Sequence, residues 1–155
     1  MHAYHYLGGT TGLVKLARGQ LLYVDTRDQS LTPHLMASGV WEPEVEACLR
    51  DQLAPGDWAV EVGANLGYFT TLFADRVGGE GRVDAFEANP LIVPILRRSI
   101  AVNGLDDRTA VHPMAAGDRD GTASFFTSET HYGAGYLSPD PQAGTTSCGS
   151  GSDGP

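Results

Sequence analysis

Between Trp58 and Met114 the sequence alternates short β-rich runs with helical runs, joined by connections of only a few residues. Trp58-Ala-Val-Glu-Val62, Arg82-Val-Asp-Ala-Phe86 and Thr109-Ala-Val-His-Pro-Met114 read as strands, the last ending early because of Pro113. Gly63-Ala-Asn-Leu-Gly67 breaks the first strand, and a helix from Tyr68 to Arg76 carries Phe69, Leu72 and Phe73 on one face. After the turn Val77 to Gly81 and the second strand, Asn89-Pro90 opens another helix. Its apolar residues are Leu91, Ile92, Ile95, Leu96 and Ile100, and Asn103-Gly104 closes it. Strand, helix, strand, helix, strand with short loops predicts βαβ units, an α/β fold with a parallel sheet. Strands of this kind are apolar on both sides, so helices are expected on both faces of the sheet.

The flanks are less regular. Leu21 to Asp25 reads as a strand and Thr26 to Ser30 as a polar turn, whereas Leu31 to Met36 fits a short strand or one helical turn equally. A helix starts at Pro43, with Val45, Ala47, Cys48, Leu49 and Leu53 as its apolar face, and Ala54-Pro-Gly-Asp57 stops it. Cys48 is therefore expected in the core. Thr122 to Thr127, after the turn Asp118 to Gly121, is a further strand candidate. We divide the chain into a lead segment (1–20), an α/β domain (21–136) and a Gly/Ser/Pro-rich tail (137–155) that has little to bury and is expected to be disordered.

Net charge bears on partners. Nineteen acids against ten bases give −9, which disfavours phosphate backbones and anionic lipid, so neither nucleic acid nor membrane is expected as a partner. Arg97, Arg98 and Arg108 are the candidates for a local basic patch, although arginines on a helix more often form a solvated face. Cys48 and Cys148 have no Cys or His at ligand spacing, so neither a metal site nor a disulfide framework is expected. The N-terminus lacks a basic start and an apolar run, and no stretch approaches the ~20 apolar residues that span a bilayer. The expected location is the cytoplasm.

The chemistry concentrates at Val60-Glu-Val-Gly-Ala-Asn-Leu-Gly67. A strand ending in an acid, then a glycine loop and a helix, puts backbone N–H groups and a carboxylate at the C-terminal edge of the sheet, where doubly wound folds bind nucleotide-like ligands. Glu87 lies twenty positions after Gly67, just past the second strand, where an acid accepts hydrogen bonds from ribose hydroxyls. The loop departs from the dinucleotide fingerprint G-x-G-x-x-G: Asn65 occupies the place of the middle glycine that admits a pyrophosphate. Glu61, ahead of Gly63, would repel a diphosphate and attract a cation, which favours the sulfonium and ammonium of S-adenosylmethionine over NAD.

These segments resemble the FkbM-like methyltransferases from about Tyr23 to Tyr136. The resemblance is carried by Tyr23-Val-Asp-Thr-Arg-Asp28, Gly39-Val-Trp-Glu-Pro43, Pro55-Gly-Asp57 and Val60-Glu-Val-Gly-Ala-Asn-Leu-Gly-Tyr-Phe69. It continues in Gly81-Arg-Val-Asp-Ala-Phe-Glu-Ala-Asn-Pro90, Asn103-Gly-Leu105 and Ala115-Ala-Gly-Asp118. It implies a Rossmann-like class I methyltransferase fold and transfer of a methyl group from S-adenosylmethionine to a hydroxyl on a small molecule or sugar. It also implies that Glu61, Gly63, Asn65 and Glu87, with the neighbouring Ala64, Gly67 and Ala88, surround the cofactor, and that Glu42 stands near the site.

Members of that family continue with further strands, one ending in an Asp-Val-Glu-Gly-like stretch, and this sequence turns into its Gly/Ser/Pro tail instead. The expectation is a domain that stops after the third parallel strand and one flanking strand, with an unfinished edge through which two copies pair. No general base stands out: His131 and His34 are candidates by their ordinary pKa, Asp28 and Glu42 by family position, and His112 reads as structural. The alternatives are a cofactor-binding fragment without catalytic activity and an NAD-dependent oxidoreductase.

Overall fold

The computed structural model describes residues 2–118, 121–122, 124–126, 130–131, 133 and 135–138. The sequence gives no element to the first twenty residues, yet they hold a hairpin, β1 (Ala3–Gly8) and β2 (Thr11–Lys15). Gly8 and Gly9 at its tip both take positive φ, the backbone that matches the twist of paired strands in a tight hairpin. β3 (Leu21–Asp25) pairs with β2 to complete an antiparallel sheet of order β1-β2-β3.

α1 (Thr32–Ser38) settles the ambiguous segment as helix. The buried carboxylate of Asp28 accepts the N–H groups of Leu31 at 3.0 Å and Thr32 at 2.8 Å, satisfying donors that the first helical turn leaves free.

α2 (Pro43–Gln52) forms where expected, but none of its residues is buried and Cys48 is exposed. The predicted apolar face is therefore corrected. Leu49 and Leu53 only lean on the core, and the residue turned inward is Glu46, whose carboxylate meets Arg18 and Tyr68.

The central unit is β4 (Trp58–Val62), α3 (Tyr68–Val77), β5 (Arg82–Phe86), α4 (Val93–Val102) and β6 (Thr109–His112). The three strands form a parallel sheet of order β4-β5-β6, with Val62 opposite Phe86 and Phe86 opposite His112. Pro113 ends β6. α4 starts later than Asn89-Pro90 suggests, because Asn89 folds a turn of its own. Its Oδ1 accepts the Leu91 N–H at 3.0 Å and its carbonyl accepts the N–H groups of Ile92 and Val93.

Ala59, Val83 and Ala85 point to one side of the sheet and pack with Leu72, Phe73, Val77, Leu96 and Ile100 into one core. A second core joins the antiparallel sheet to the rest through Val14, Leu22, Val24, Leu35, Leu66 and Ile92. The edge of β3 is closed by α4: Leu21 N–H donates to Asn103 Oδ1 (2.9 Å), Asn103 Nδ2 donates back to the Leu21 carbonyl (2.6 Å), and Tyr23 N–H donates to Ser99 Oγ (3.0 Å). Side chains here stand in for a neighbouring strand.

α3 and α4 share the Ala59 side, whereas Trp58, Val60 and Val62 on the other side are 69%, 57% and 65% exposed. A helical layer over that second face is not among the described residues. β7 (Ser124–Phe126) and β8 (Tyr136–Ser138) pair antiparallel to each other; the Gly/Ser/Pro-rich stretch from 139 onward, with Cys148, lies outside the described residues. Among the described residues, no helix is long and apolar enough to cross a membrane.

The two faces predict opposite mutational costs. Leu96→Ala removes a side chain with no exposed surface and should cost about 2–5 kcal/mol. Val60→Ala on the open face should cost less than about 0.5 kcal/mol. Urea unfolding of both variants checks this, and equal costs would mean that the open face is packed in solution.

Candidate functional site

The loop after β4 is shaped by three left-handed residues, Gly63 (φ +81°), Asn65 (φ +49°) and Gly67 (φ +92°). Glycine accepts this backbone without strain, but Asn65 needs help. Its N–H donates to Glu87 Oε2 at 2.7 Å, which holds the bend in place. The Gly63 and Ala64 N–H groups both donate to the Phe86 carbonyl, at 2.9 and 3.0 Å, so the loop folds across the end of β5. A Cβ on Gly67 would meet Leu96 Cδ1 at 2.7 Å, so this position also lets α3 start close against α4.

Glu87 is the hub. It is buried, its Oε1 accepts the Asn89 N–H at 2.7 Å, and its own N–H donates to the His112 carbonyl at 3.0 Å. The carboxylate thus ties the β4–α3 loop to the β5–α4 loop. A carboxylate offers about four lone-pair positions, so one remains on each oxygen after these two backbone bonds.

Around it lies a cavity of about 300 Å³ at the C-terminal edge of the parallel sheet. Of the residues proposed from the sequence, Gly63, Asn65, Glu87 and Ala88 line it. Asn65 Oδ1 is buried and has no hydrogen-bond partner among the described residues. Four of the proposed site residues are not on the lining. Ala64 is buried behind the loop, Gly67 starts α3, and Glu42 is exposed at the N-terminus of α2, in a left-handed conformation. Glu61 points toward α3, where its Oε2 accepts the Thr70 hydroxyl at 2.5 Å.

Burial raises the Glu61 pKa to about 7, against the lowering effect of the Thr70 hydrogen bond and with a further push from Glu87. The rest of the lining was not proposed as site residues: Val62, Phe86 and Met114 to Ala116 on the sheet side, Phe125, Gly133, Gly135 and Tyr136 from the segment around β7 and β8. Val62, Phe86, Ala115 and Ala116 among these fall within the runs that carry the family resemblance. One long-range contact reaches the segment around β7 and β8: Gln29 N–H donates to the Thr130 carbonyl at 2.7 Å.

The base candidates do not converge. Asp28 caps α1; burial raises its pKa, but the hydrogen bonds from Ser30 and Thr32 outweigh this and hold it below the usual carboxylate range. A carboxylate of that kind is a poor proton acceptor. His34 is exposed beside Trp41, with ring centroids 5.1 Å apart, and His131 is exposed with Nδ1 3.1 Å from Thr130 Oγ1. His112 Nε2 sits 2.7 Å from Asp84 Oδ1 on the open sheet face, where Asp84 also meets Arg82 and Trp58. Of these, none lines the cavity.

No family model matches this sequence. The chain is 36% identical over 85 residues to a protein-L-isoaspartate O-methyltransferase of Triticum aestivum, a match covering 55% of this chain and 33% of the relative. The matched region thus spans about a third of the length of that relative. Among solved structures, a presumed transferase from Pyrococcus horikoshii superposes with a TM-score of 0.53 at 19% identity, over 71% of this chain and 38% of that one. TYW2 of P. horikoshii in complex with MeSAdo superposes with a TM-score of 0.52 at 21% identity, over 75% and 40%.

The fold is the Rossmann-like α/β fold of class I methyltransferases. One expectation is corrected. Net acidity was taken to exclude nucleic acid, yet structures similar to this chain include a complex of aTrm5 and tRNALeu (18% identity, TM-score 0.49) and a tRNA m1G37 methyltransferase of M. jannaschii (22%, 0.48). A net charge is a sum over the whole surface and leaves room for a local basic patch, so it is no ground for exclusion.

Proposed function

We propose that this chain is the cofactor-binding part of an S-adenosylmethionine-dependent O-methyltransferase. The observation that carries the reading is Glu87: a buried carboxylate at the end of β5, held by two backbone N–H groups, with free lone pairs on the lining of the cavity. That arrangement suits the two hydroxyls of a ribose. Asn65 Oδ1, buried beside it and without a partner among the described residues, is an acceptor that a bound ammonium or hydroxyl would satisfy. Phe86, Ala88 and Met114 offer an apolar wall to a purine.

S-adenosylmethionine supplies a methyl group on a positively charged sulfur, already activated for displacement. The chain's own contribution is to fix the donor's orientation against the acceptor oxygen, which is catalysis by alignment. Glu61 lies behind the loop with its pKa raised to about 7, and a bound cation would favour its charged form. The sequence resemblance to FkbM-like proteins points to a hydroxyl of a small molecule or sugar as the acceptor, and the wheat relative's name also specifies transfer to oxygen. An NAD site is the weaker reading, because Asn65 stands where a pyrophosphate needs a bare backbone.

Isothermal titration with S-adenosylmethionine, S-adenosylhomocysteine and NADH tests the cofactor. We expect saturable binding of the first two and none of the third. Labelled methyl transfer to panels of hydroxylated small molecules and to tRNA then tests the acceptor. Binding of NADH alone would overturn the proposal, and cofactor binding without transfer to any acceptor would reduce it to a cofactor-binding fragment.

A further inference from the structure

The antiparallel sheet turns Val14, Leu22 and Val24 into the core, so the alternate residues of its strands form an outward face. Across that face His5 stands opposite Leu13 and Leu13 opposite Tyr23, with Lys15 opposite Leu21 and Thr11 opposite Asp25. α4 runs along the β3 edge and brings Arg98 to the same place, its guanidinium 3.9 Å from the Tyr23 ring centroid. Charge is segregated here. Of the nineteen acids in the chain, Asp25 is the only one within β1, β2, β3 or α4, which together hold Lys15, Arg97 and Arg98. Arg27 covers Asp25, donating from Nε to Oδ1 at 3.1 Å and from Nη2 to Oδ2 at 2.8 Å. Of the three arginines that the sequence marks for a basic patch, Arg108 is drawn off by Asp107.

Two features set this face apart from an ordinary solvated one. Lys15 and Arg98 are exposed and take part in no ion pair among the described residues. Arg98 lies over an aromatic ring, which holds its planar cation in place without neutralising it. Beside it opens a cavity of about 170 Å³, lined by Thr10, Thr11, Tyr23, Leu91, Ile95 and Arg98. Leu91 and Ile95 make part of that lining apolar, Arg98 offers a flat cation, and the threonines bring hydroxyl groups. A flat heteroaromatic ring joined to a phosphate matches this set, whereas an acidic peptide has no ring to lay on the guanidinium. Bases are free to leave their stack in single strands, and arginine planes are among the groups that receive them.

We infer that the outward face of the β1–β3 sheet binds single-stranded RNA, with a base seated at the cavity against Arg98 and a flanking phosphate on Lys15. Lys15 stands at the level of Leu21 and Arg98 at that of Tyr23, two residues along β3, a step of about 6–7 Å. The Thr10 and Thr11 hydroxyls favour ribose over deoxyribose, because a 2′-hydroxyl both donates and accepts. RNA binding on this face is independent of whether the Glu87 cavity takes S-adenosylmethionine.

The test is fluorescence anisotropy of the full chain with a labelled RNA of about ten nucleotides, the DNA of the same sequence, and heparin as competitor. For RNA we expect a Kd of about 10–100 µM at 50 mM KCl. Arg98→Lys keeps the charge and loses the plane, so it should weaken binding about fivefold or more with an unchanged salt slope. Lys15→Gln should lower that slope by about 0.7, the contribution of one phosphate on a single strand. Arg108→Gln, which removes a charge outside the face, should stay within about twofold of the parent. All three substitutions are at the surface, and matching melting temperatures show that the fold is kept. No saturable binding, an Arg98→Lys variant equal to the parent, or an Arg108→Gln variant as weak as Lys15→Gln would overturn the inference. Heparin bound as tightly as RNA would also overturn it, by showing a general polyanion surface. Equal affinity for the DNA strand would overturn the choice of RNA.

Discussion

Replacing Glu87 with Gln is expected to weaken S-adenosylmethionine binding by about 30- to 100-fold. The carboxylate accepts two backbone N–H groups at 2.7 Å, and in the proposed complex it also accepts the ribose hydroxyls. A Gln amide keeps one oxygen and turns an N–H donor toward a second N–H. Hydrogen bonds to a charged acceptor contribute about 1.5–3 kcal/mol, and each factor of ten in affinity corresponds to about 1.4 kcal/mol.

The same substitution should loosen the bend at Asn65, whose left-handed backbone depends on that carboxylate, and lower the unfolding free energy by about 1–3 kcal/mol. Titration calorimetry and urea unfolding on one preparation separate the two effects. Affinity within threefold of the parent in a folded variant would remove Glu87 from the cofactor site.

Glu61→Gln should act in the opposite direction on stability. Burial raises the folded-state pKa of Glu61 to about 7, from an ordinary value of 4.5. Between these two values the folded chain holds a proton that the unfolded chain releases, so the slope of stability against pH is negative. The stabilisation is fully present below about pH 4.5 and is lost as pH rises through about 7. Its ceiling is about 3 kcal/mol, from 1.36 kcal/mol per unit.

The neutral Gln still accepts the Thr70 hydroxyl and has no charge to bury. We therefore expect Glu61→Gln to exceed the parent in stability at pH 8, by on the order of 2 kcal/mol. The two should converge below pH 5 as far as this residue is concerned. The stabilised variant should also bind the sulfonium cofactor more weakly, because it lacks the charge that a bound cation would draw out. A parent and variant whose urea midpoints differ by the same amount at pH 5 and pH 8 would show that Glu61 does not titrate in this way.

The parts of the fold legible in the sequence are those with a local cause. The breaks at Gly63 and Gly67, the stop at Ala54-Pro-Gly-Asp57 and the closure at Asn103-Gly104 follow from backbone preferences of a few residues. The spacing of Leu72, Phe73, Leu96 and Ile100 showed which sides of two helices enter the core. The hairpin at the N-terminus is also readable in principle, from Gly8-Gly9 between Tyr4-His-Tyr-Leu7 and Thr11.

α2 shows where a local pattern misleads. Apolar spacing predicted an inward Cys48, whereas the partners available to that helix were Arg18 and Tyr68, which turned Glu46 inward instead. Asp28 is a comparable case. Its family position suggested a base, and only the folded chain shows four backbone and side-chain donors gathered on its carboxylate.

By itself the amino-acid order determined the kind of sheet, the place of the glycine bend and the two acids that flank it, because each depends on neighbours within one βαβ unit. Tertiary structure decided what those acids do. Glu87 faces the cavity and joins two loops, while Glu61, one strand earlier, is turned under α3 and held near neutrality by burial. The difference is physical: a side chain's identity is local, but its solvation and hydrogen-bond partners are supplied by segments distant in sequence. The far wall of the cavity is the extreme case, since residues around β7 and β8 reach it through contacts that no local periodicity encodes.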